Sequence, residues 1–521
     1  MNPSGIQVAT APLFVLRLNR MQARRLIEVN RQKNRSHASK GGFTMEYEVT
    51  IGLEIHSELK TDTKLFCGCR NDFGGEPNTR CCPVCLGLPG TLPVLNKKAL
   101  ELAIRAGLAM NCKISEFSKF DRKNYFYPDM PKAYQVTQYN LPICYDGYVD
   151  IETDNGIKRI GIERIHLEED AGKLVHDAYA DGSLIDYNRC GVPLIEIVTR
   201  PEINSAEEAK ALFETIKSIL EYTDVSDCKM QEGSLRADVN ISVRPRGQEK
   251  LGVRTEIKNL NSIRAVYRAA QGEARRQIEV LSEGGIVCQE TRRWDDKKGE
   301  SMAMRNKEES MDYRYFPEPD LLPVIVDRDW IDSIRKSLPE LPRARRDRYV
   351  NELGIPEYDA ALITMNRKLA DLFDRAAAVC GKPKLASNFI MTDIMRRIND
   401  QGEGILASSL NGDNLGEVLL FLDQGKITHA SAAKVIDVII ETGEKPDNII
   451  ERLELWVQRD ENLVNEIVKS VLEANRQALE DYLAGKEKAF GFLMGQVMSR
   501  LKGKGDPAQV RETLLREINK G

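Results

Sequence analysis

Hydrophobic and polar residues alternate along the chain from Tyr47 onward. Tyr47, Val49, Ile51, Leu53 and Ile55 would point to one side of an extended chain, with polar residues between them. Similar alternation covers 235–244 and, after the turn-forming residues 245–247, it covers 253–258. These patterns predict a half-buried strand and, later in the chain, an antiparallel hairpin with a strongly charged outer face.

Apolar residues three and four positions apart predict helices between and after these strands. Ser205 and Glu208 have capping-box spacing ahead of one helix, and a second helix is expected to begin at Asn261 or Ser262. Strand patterns stop near Trp330, and helical patterns dominate beyond Pro339. The predicted fold is multidomain: an α+β domain built on an antiparallel sheet, followed by all-α helical and tail domains.

Composition and breaks in the pattern divide the chain into four segments, predicted at 1–44, 45–338, 339–408 and 409–521. The first carries eight Lys or Arg against a single acid, Glu28. We interpret it as a stretch ahead of a true start at Met45, with an organelle import signal as the alternative. A cytoplasmic location is expected unless the leader directs import.

Bulk composition narrows the class of protein. Of the 521 residues, 42% are hydrophobic and 30% charged, which is typical of globular domains. No apolar run reaches the length of a membrane span, so we expect no membrane association. The net charge of -4 argues against a uniformly basic coat for nucleic acid, although local patches can still bind phosphate groups.

Five of the eleven cysteines fall within residues 67–85. Cys67 with Cys69, and Cys82 with Cys85, form two close pairs separated by a glycine-containing loop. Four thiolates in this arrangement suit tetrahedral zinc in a closed, structural site. Cys81 is a competing ligand, and a redox pair or unconnected buried cysteines are the alternative interpretations.

Several carboxylates have the spacing of a metal or phosphate site. Glu54 and His56 share the polar face of the first strand, and Asp238 lies on the hairpin. Glu196 is flanked on its strand face by Leu194 and Val198, where an ionised carboxylate needs a cation or a tight ion pair. Oxygen ligands of this kind suit magnesium in phosphoryl transfer, whereas a solvated strand face is the alternative.

The segment 120–139 interleaves aromatic and basic residues, among them Lys123, Tyr125 and Lys132. Rings beside cations can hold nucleotide bases, although packing of the rings into the core explains the pattern equally well. The chain has no P-loop and no G-x-G-x-x-G motif. A nucleotide site would therefore be of another kind.

Long blocks of this sequence resemble the GatB family, which forms one subunit of the aspartyl/glutamyl-tRNA amidotransferases. The resemblance runs from Met45 to the C-terminus and is carried by IGLEIHSELKT, KFDRKNYFYPDMPKAYQ, HLEEDAGK, GVPLIEIVT, KMQEGSLRADVNIS, EIKNLNS, QETRRWD and DYRYFPEPDLLP. It implies a cradle-like kinase domain at 45–338, a helical linker domain at 339–408 and a YqeY-like tail at 409–521. The implied partners are the amidase subunit GatA, the small subunit GatC, misacylated tRNA and the synthetase that mischarges it.

The resemblance also implies the chemistry and the residues that perform it. ATP would phosphorylate the side-chain carboxylate of Glu-tRNA(Gln), Asp-tRNA(Asn) or both, and ammonia from the amidase would displace the phosphate. The implied catalytic residues are Glu54, His56 and Asp238. The implied magnesium ligands are Glu169 and Glu196, and the contacts to nucleotide or substrate are Lys123, Tyr125, Lys132 and Arg236. Zinc on Cys67, Cys69, Cys82 and Cys85 would brace the fold.

The end of the chain is a candidate tRNA contact. From Lys486 onward there are eight basic and four acidic residues, and Lys502 and Lys504 are the predicted contacts. Two rival functions stay open at this point. A noncatalytic, zinc-bearing RNA-binding protein would explain the cysteines and the tail but not the acidic sheet face. A self-sufficient amidotransferase is disfavoured because no glutaminase motif is evident.

Overall fold

The computed structural model describes residues 46–176, 182–304, 313–457, 461–501 and 507–519. The predicted leader, Lys502 and Lys504 lie outside these residues. The chain forms two compact units. The smaller contains Arg244–Lys250 and, among the described residues, 46–48, and within it Arg244 Nε lies 3.1 Å from Glu48 Oε2. All other described residues belong to the larger unit.

Strands dominate the first part of the chain and helices the second. The strands are β1 (Tyr47–Glu58), β2 (Lys113–Ile114), β3 (Phe117–Ser118), β4 (Asp121–Asn124), β5 (Tyr134–Thr137), β6 (Cys144–Thr153), β7 (Gly156–Glu169), β8 (Lys173–His176), β9 (Ser183–Asp186), β10 (Pro193–Thr199), β11 (Leu235–Pro245), β12 (Thr255–Leu260), β13 (Glu290–Asp295), β14 (Glu300–Ala303), β15 (Phe316–Pro317) and β16 (Val324–Ile325).

The helices follow the same chain order. They are α1 (Lys97–Ala109), α2 (Ala206–Tyr222), α3 (Ile263–Ser282), α4 (Arg328–Lys336), α5 (Pro342–Asn351), α6 (Glu357–Thr364), α7 (Arg367–Cys380), α8 (Pro383–Phe389), α9 (Met395–Gln401), α10 (Gly412–Asp423), α11 (His429–Thr442), α12 (Pro446–Arg452), α13 (Glu461–Ala474), α14 (Arg476–Leu483), α15 (Glu487–Arg500) and α16 (Pro507–Ile518). A π-helical turn, Ile390–Ile394, and a 3₁₀ turn, Glu403–Ala407, flank α9.

A twelve-stranded sheet organises the first part of the chain, in the order β14-β13-β12-β11-β1-β10-β7-β5-β4-β15, with β6 paired to β7 and β2. The predicted first strand and the antiparallel β11–β12 hairpin are confirmed. The sheet is mixed, however, so the prediction of an antiparallel sheet needs correction. Strands β12 and β13 run parallel because α3 lies between them in the sequence and carries the chain back across the sheet.

One face of the sheet is buried under helices. Alternate residues of β1 and β11, such as Leu53, Ile55 and Val239, are almost inaccessible to solvent and belong to a hydrophobic cluster shared with α1, α2 and α3. Helix α2 begins as predicted, because Ser205 Oγ accepts a hydrogen bond from Glu208 N at 3.1 Å. The intervening residues of the same strands therefore point to the opposite face.

The helical part of the chain contains two further hydrophobic clusters, one from Tyr349 to Leu455 and one from Val464 to Ile518. The first spans residue 408, where the sequence predicts a domain boundary. Helix α10 packs closely on α7 because Gly416 lacks a side chain, and a Cβ there would lie 2.5 Å from the Cβ of Val379. No helix in the described ranges has the length and apolar character needed to cross a membrane.

Candidate functional site

Three neighbouring strands place His56, Glu196 and His166 side by side on the polar face of the sheet. His56 of β1 lies opposite Glu196 of β10, which lies opposite His166 of β7. The Nε2 atom of each histidine is 3.4 Å from Glu196 Oε2. This cross-strand row explains how Glu196 is accommodated between the apolar residues Leu194 and Val198, because its charge is met from both sides.

Glu168 completes this group. It lies two residues after His166, so it points to the same face, and its carboxylate oxygens are 3.6 Å from His56 Nε2 and 3.7 Å from His166 Nε2. One ligand atom each from His56, Glu168 and Glu196 lies within 4.8 Å of the others. We call His56, His166, Glu168 and Glu196 the histidine–carboxylate cluster.

Electrostatics within the histidine–carboxylate cluster favour the charged form of every member. Burial alone would lower the pKa of His166, but attraction to Glu196 and Glu168 outweighs it and raises that pKa to about 9. Burial would also raise the pKa of Glu196, yet the two histidines hold it well below its usual value. The histidines thus supply the positive charge that a bound cation would otherwise bring.

A second group of acids adjoins the first. Glu54, Asp238 and Glu256 come from β1, β11 and β12, and their carboxylates could also share an ion. Lys258 Nζ lies 2.6 Å from Asp238 and 2.8 Å from Glu256, while Asn240 donates a 2.8 Å hydrogen bond to Glu54. The pKa of Glu54 is raised by burial, by Glu196 and by Glu256.

The residues present fit a magnesium-dependent site. The two groups together offer carboxylate oxygens, which are the ligands that magnesium prefers. Among the described residues, His56 Nδ1 and His166 Nδ1 are buried without a hydrogen-bond partner, so the row has unused donor or acceptor capacity. Charge on these strands is therefore only partly balanced by Lys258 and the histidines.

The structure does not bring Glu169 to Glu196, although the sequence paired them as magnesium ligands. Glu169 follows Glu168 on β7 and points away from the histidine–carboxylate cluster. Its carboxylate contacts Lys132 Nζ and accepts a 2.9 Å hydrogen bond from Val136 N. Lys132 is held with it, on the side of a cavity that also contains Cys67 and Cys85. Sequence reasoning missed Glu168, and the signal was its two-residue spacing from His166.

Other predicted contact residues surround the two acid groups. Lys123 is close enough to Glu168 and Glu196 to have its pKa raised by them, against the lowering effect of burial. Its Nζ lies 5.0 Å from the centre of the Tyr313 ring, and Tyr125 packs edge-on against the same ring. Arg236 binds Asp170, with 3.0 Å between Nη2 and Oδ1. These contacts position cations beside the acids.

The cysteine cluster forms as the spacing predicts. The Sγ atoms of Cys67, Cys69, Cys82 and Cys85 lie within 4.8 Å of one another, which allows all four to bind one metal ion. Cys81 lies outside this group, and its Sγ donates to the carbonyl of Asn78. The pKa of Cys85 is lowered to about 5, first by a hydrogen bond from Cys67, so a thiolate is available as a ligand.

Comparisons with known proteins agree with this geometry. A family model described as the GatB/GatE catalytic domain matches residues 49–332, and one described as the GatB domain matches residues 371–518. The chain is 56% identical, over 479 residues, to a Caldicellulosiruptor bescii protein named as the GatB subunit of aspartyl/glutamyl-tRNA(Asn/Gln) amidotransferase. A protein of the same name from Caldanaerobacter subterraneus subsp. tengcongensis is 55% identical over 476 residues. Both alignments cover 91% of this chain and the whole of the relative.

Proposed function

Because the chain belongs to the GatB family of aspartyl/glutamyl-tRNA amidotransferase subunits, we propose that it uses ATP to activate a side-chain carboxylate attached to tRNA. The substrate is Glu-tRNA(Gln), Asp-tRNA(Asn) or both. The carboxylate attacks the γ-phosphorus and ADP leaves. Ammonia then attacks the acyl phosphate, and inorganic phosphate leaves as the amide forms. The observation that carries this proposal is the convergence of two acid groups on one sheet face.

We assign Glu168 and Glu196, with His56, as the residues that would hold magnesium, and this assignment replaces Glu169 by Glu168. It rests on the approach of all three side chains to within 4.8 Å. When bound there, the ion supplies positive charge against the transferring phosphoryl group. His166 would hold Glu196 in place from the other side, because the two are 3.4 Å apart.

The remaining polar residues have separate roles in this proposal. Lys123, which faces Glu168 and Glu196, is placed to contact a phosphate. Arg236, oriented by Asp170, is a second cation at the same face. Glu54 has a raised pKa and can accept the proton that the attacking ammonia loses on forming the amide. Asp238 and Lys258 hold each other in position beside it.

The cysteine cluster is proposed to hold zinc in a structural role. Its four sulfurs leave no open position once they bind an ion, so the site would brace the loop 67–85 without taking part in the reaction. The loop also lies against Lys132 and Glu169 through a shared cavity. Loss of the metal is therefore expected to affect stability more than chemistry.

The proposed enzyme acts within a larger assembly. The relatives are named as one subunit of an amidotransferase, which supports partner subunits, and GatA and GatC are the proposed ones. GatA would release ammonia from glutamine. A self-sufficient amidotransferase would instead form the amide from glutamine with this chain alone, and that assay distinguishes the two.

The decisive test of activity is ADP release. The reconstituted complex should release ADP when it is given ATP, magnesium and misacylated tRNA, and it should release much less with correctly charged tRNA. A noncatalytic RNA-binding protein would release none. Absence of ADP with both Glu-tRNA(Gln) and Asp-tRNA(Asn) would rule out the proposed function.

We also propose that the C-terminal residues bind the tRNA body. Lys502 and Lys504 lie outside the described residues, so the proposal rests on the local excess of basic residues. Lys502→Glu with Lys504→Glu should weaken tRNA binding and lower the salt slope by about 2, because two phosphate contacts are lost. The matched control is Lys297→Glu with Lys298→Glu, an exposed pair on the turn between β13 and β14. Equal slopes for both double variants would refute tRNA binding by the tail.

A further inference from the structure

A cavity of about 240 Å³ opens beside the second acid group. Its lining includes Gly52 and Glu54 of β1, Val198 of β10, and Leu251 and Arg254 just before β12. Glu54 lines this cavity and also belongs to the acid group with Asp238 and Glu256. A ligand in the cavity can therefore reach the proposed phosphate site directly.

Gly52 leaves space in this cavity that the protein itself does not require. It lies within β1, two residues before Glu54 on the same face, where glycine weakens a strand. Its backbone is not in the left-handed region, and a Cβ would meet no atom closer than 3.8 Å. Neither conformation nor crowding explains the glycine, whereas close approach of a ligand does.

Gly252 shows the contrasting case. A Cβ at Gly252 would lie 2.1 Å from the carbonyl oxygen of Val243, so glycine is needed there for the chain to approach β11. This approach brings Leu251 and Arg254 to the edge of the cavity. Within the described part of the chain, the Arg254 guanidinium makes no hydrogen bond or ion pair. It is an unused cation beside an apolar surface.

We propose that this cavity binds an adenosine group, an inference that rests on the proposed function. Val198 and Leu251 provide apolar contact for the faces of a purine, and a guanidinium stacks well on such a ring. The volume suits a base and its sugar better than a whole nucleotide, whose phosphates would extend past Glu54 toward the acids. Two substrates carry adenosine at the correct end: ATP, and tRNA, whose 3′-terminal adenosine bears the amino acid.

Filling the cavity tests the proposal. Gly52→Val places a side chain in the space without a backbone clash, and it substitutes a good strand-former for glycine, so the fold should be retained. Leu251→Ala removes a wall instead and serves if Gly52→Val fails to fold. Val253→Ala is the matched control, because Val253 is 43% exposed in the same segment and does not line the cavity.

Equilibrium binding to the complete complex, with magnesium, separates the two sources of adenosine. One comparison sets ATP against inorganic triphosphate, and the other sets intact tRNA against tRNA lacking its terminal adenosine. Loss of a stacked base should weaken binding by roughly 5- to 100-fold. If the cavity takes ATP, Gly52→Val loses the preference for ATP over triphosphate. If it takes tRNA, the variant loses the preference for the intact end.

The proposal is overturned if a folded variant keeps both preferences, or if Val253→Ala loses the same preference. This failure is distinguishable from failure of the proposed function. ADP release by the unmodified complex tests the activity alone. A complex that releases ADP while its Gly52→Val variant keeps both preferences would retain the activity and lose only the adenosine cavity.

Discussion

The cysteine cluster and the histidine–carboxylate cluster can each bind an ion, but they are assembled in different ways. The four cysteines lie within residues 67–85, so the local spacing already limits which sulfurs can meet. The other cluster combines His56, His166, Glu168 and Glu196 from three strands that are far apart in the sequence. Its composition depends on strand pairing and on which way each residue points.

This difference separates the expected roles of the two sites. Four sulfurs can enclose an ion completely, which suits a structural metal. The histidine–carboxylate cluster adjoins a second acid group and a cavity, so a ligand can approach it. We therefore expect changes at the cysteines to affect stability and changes at the carboxylates to affect turnover.

The largest effect is expected from Glu196→Gln. The substitution keeps the shape of the side chain but removes the charge that faces both histidines and the proposed cation. ADP formation with misacylated tRNA should fall about 10³-fold in kcat, since several kcal/mol of charge stabilisation are lost. Glu116→Gln is the control, because Glu116 is an exposed partner of Arg328. A loss below about 10-fold in Glu196→Gln would remove Glu196 from the proposed site.

Cys82→Ser should destabilise the protein while leaving its chemistry nearly intact. Loss of one sulfur ligand should release the zinc and lower Tm by roughly 5–15 °C, with kcat changed less than about threefold below the new Tm. Cys81→Ser is the matched control, because Cys81 is adjacent but outside the group of four. Metal content and Tm are measured for both variants. Equal losses in the two would show that the ligand set is wrong.

A smaller effect concerns Glu58, which follows Glu54 and His56 on the same face of β1. Burial, followed by the charge of Asp170, raises the pKa of Glu58 to about 7, although Arg189 and Arg236 oppose this. Because the folded pKa is the higher one, the stabilisation is present below about 4.5 and is lost as pH rises through about 7.

Glu58→Gln removes this dependence, so the variant should gain relative to the unmodified protein as pH rises. Between pH 5 and pH 8 the gain is on the order of 2 kcal/mol, or roughly 5 °C in Tm. Thermal unfolding is measured in EDTA to keep cations away from the neighbouring acids. A constant difference in Tm across this range would mean that Glu58 is ionised in the folded protein at pH 5.

Strand faces and the cysteine group were predictable because they depend on local pattern. The alternation in β1 and β11 identifies the buried residues, and the cysteine spacing identifies the four sulfurs that meet. The choice between Glu168 and Glu169 was not predictable in this way. Consecutive acids occupy 168–170, and only the pairing of β7 with β10 determines which one faces Glu196.

Long-range packing also limited the prediction of the fold. The helix at 263–282 was predicted, but its role as a crossover that makes β12 and β13 parallel depends on where β13 inserts. The break at Asn411–Gly412 indicated a boundary near 408. In the structure Gly412 and Gly416 let α10 pack tightly on α7, so one hydrophobic cluster extends across the break. A division into domains near 408 stays a prediction.

The most direct test of the proposed cation site compares two neighbouring acids on β7. Single-turnover ADP formation is measured with misacylated tRNA for complexes that carry Glu168→Gln or Glu169→Gln. Glu168 faces His56 and Glu196, so its variant should lose about 10³-fold, whereas the Glu169 variant should lose less than about 10-fold. The reverse order, with Glu169 essential and Glu168 dispensable, would contradict a cation held by His56, Glu168 and Glu196.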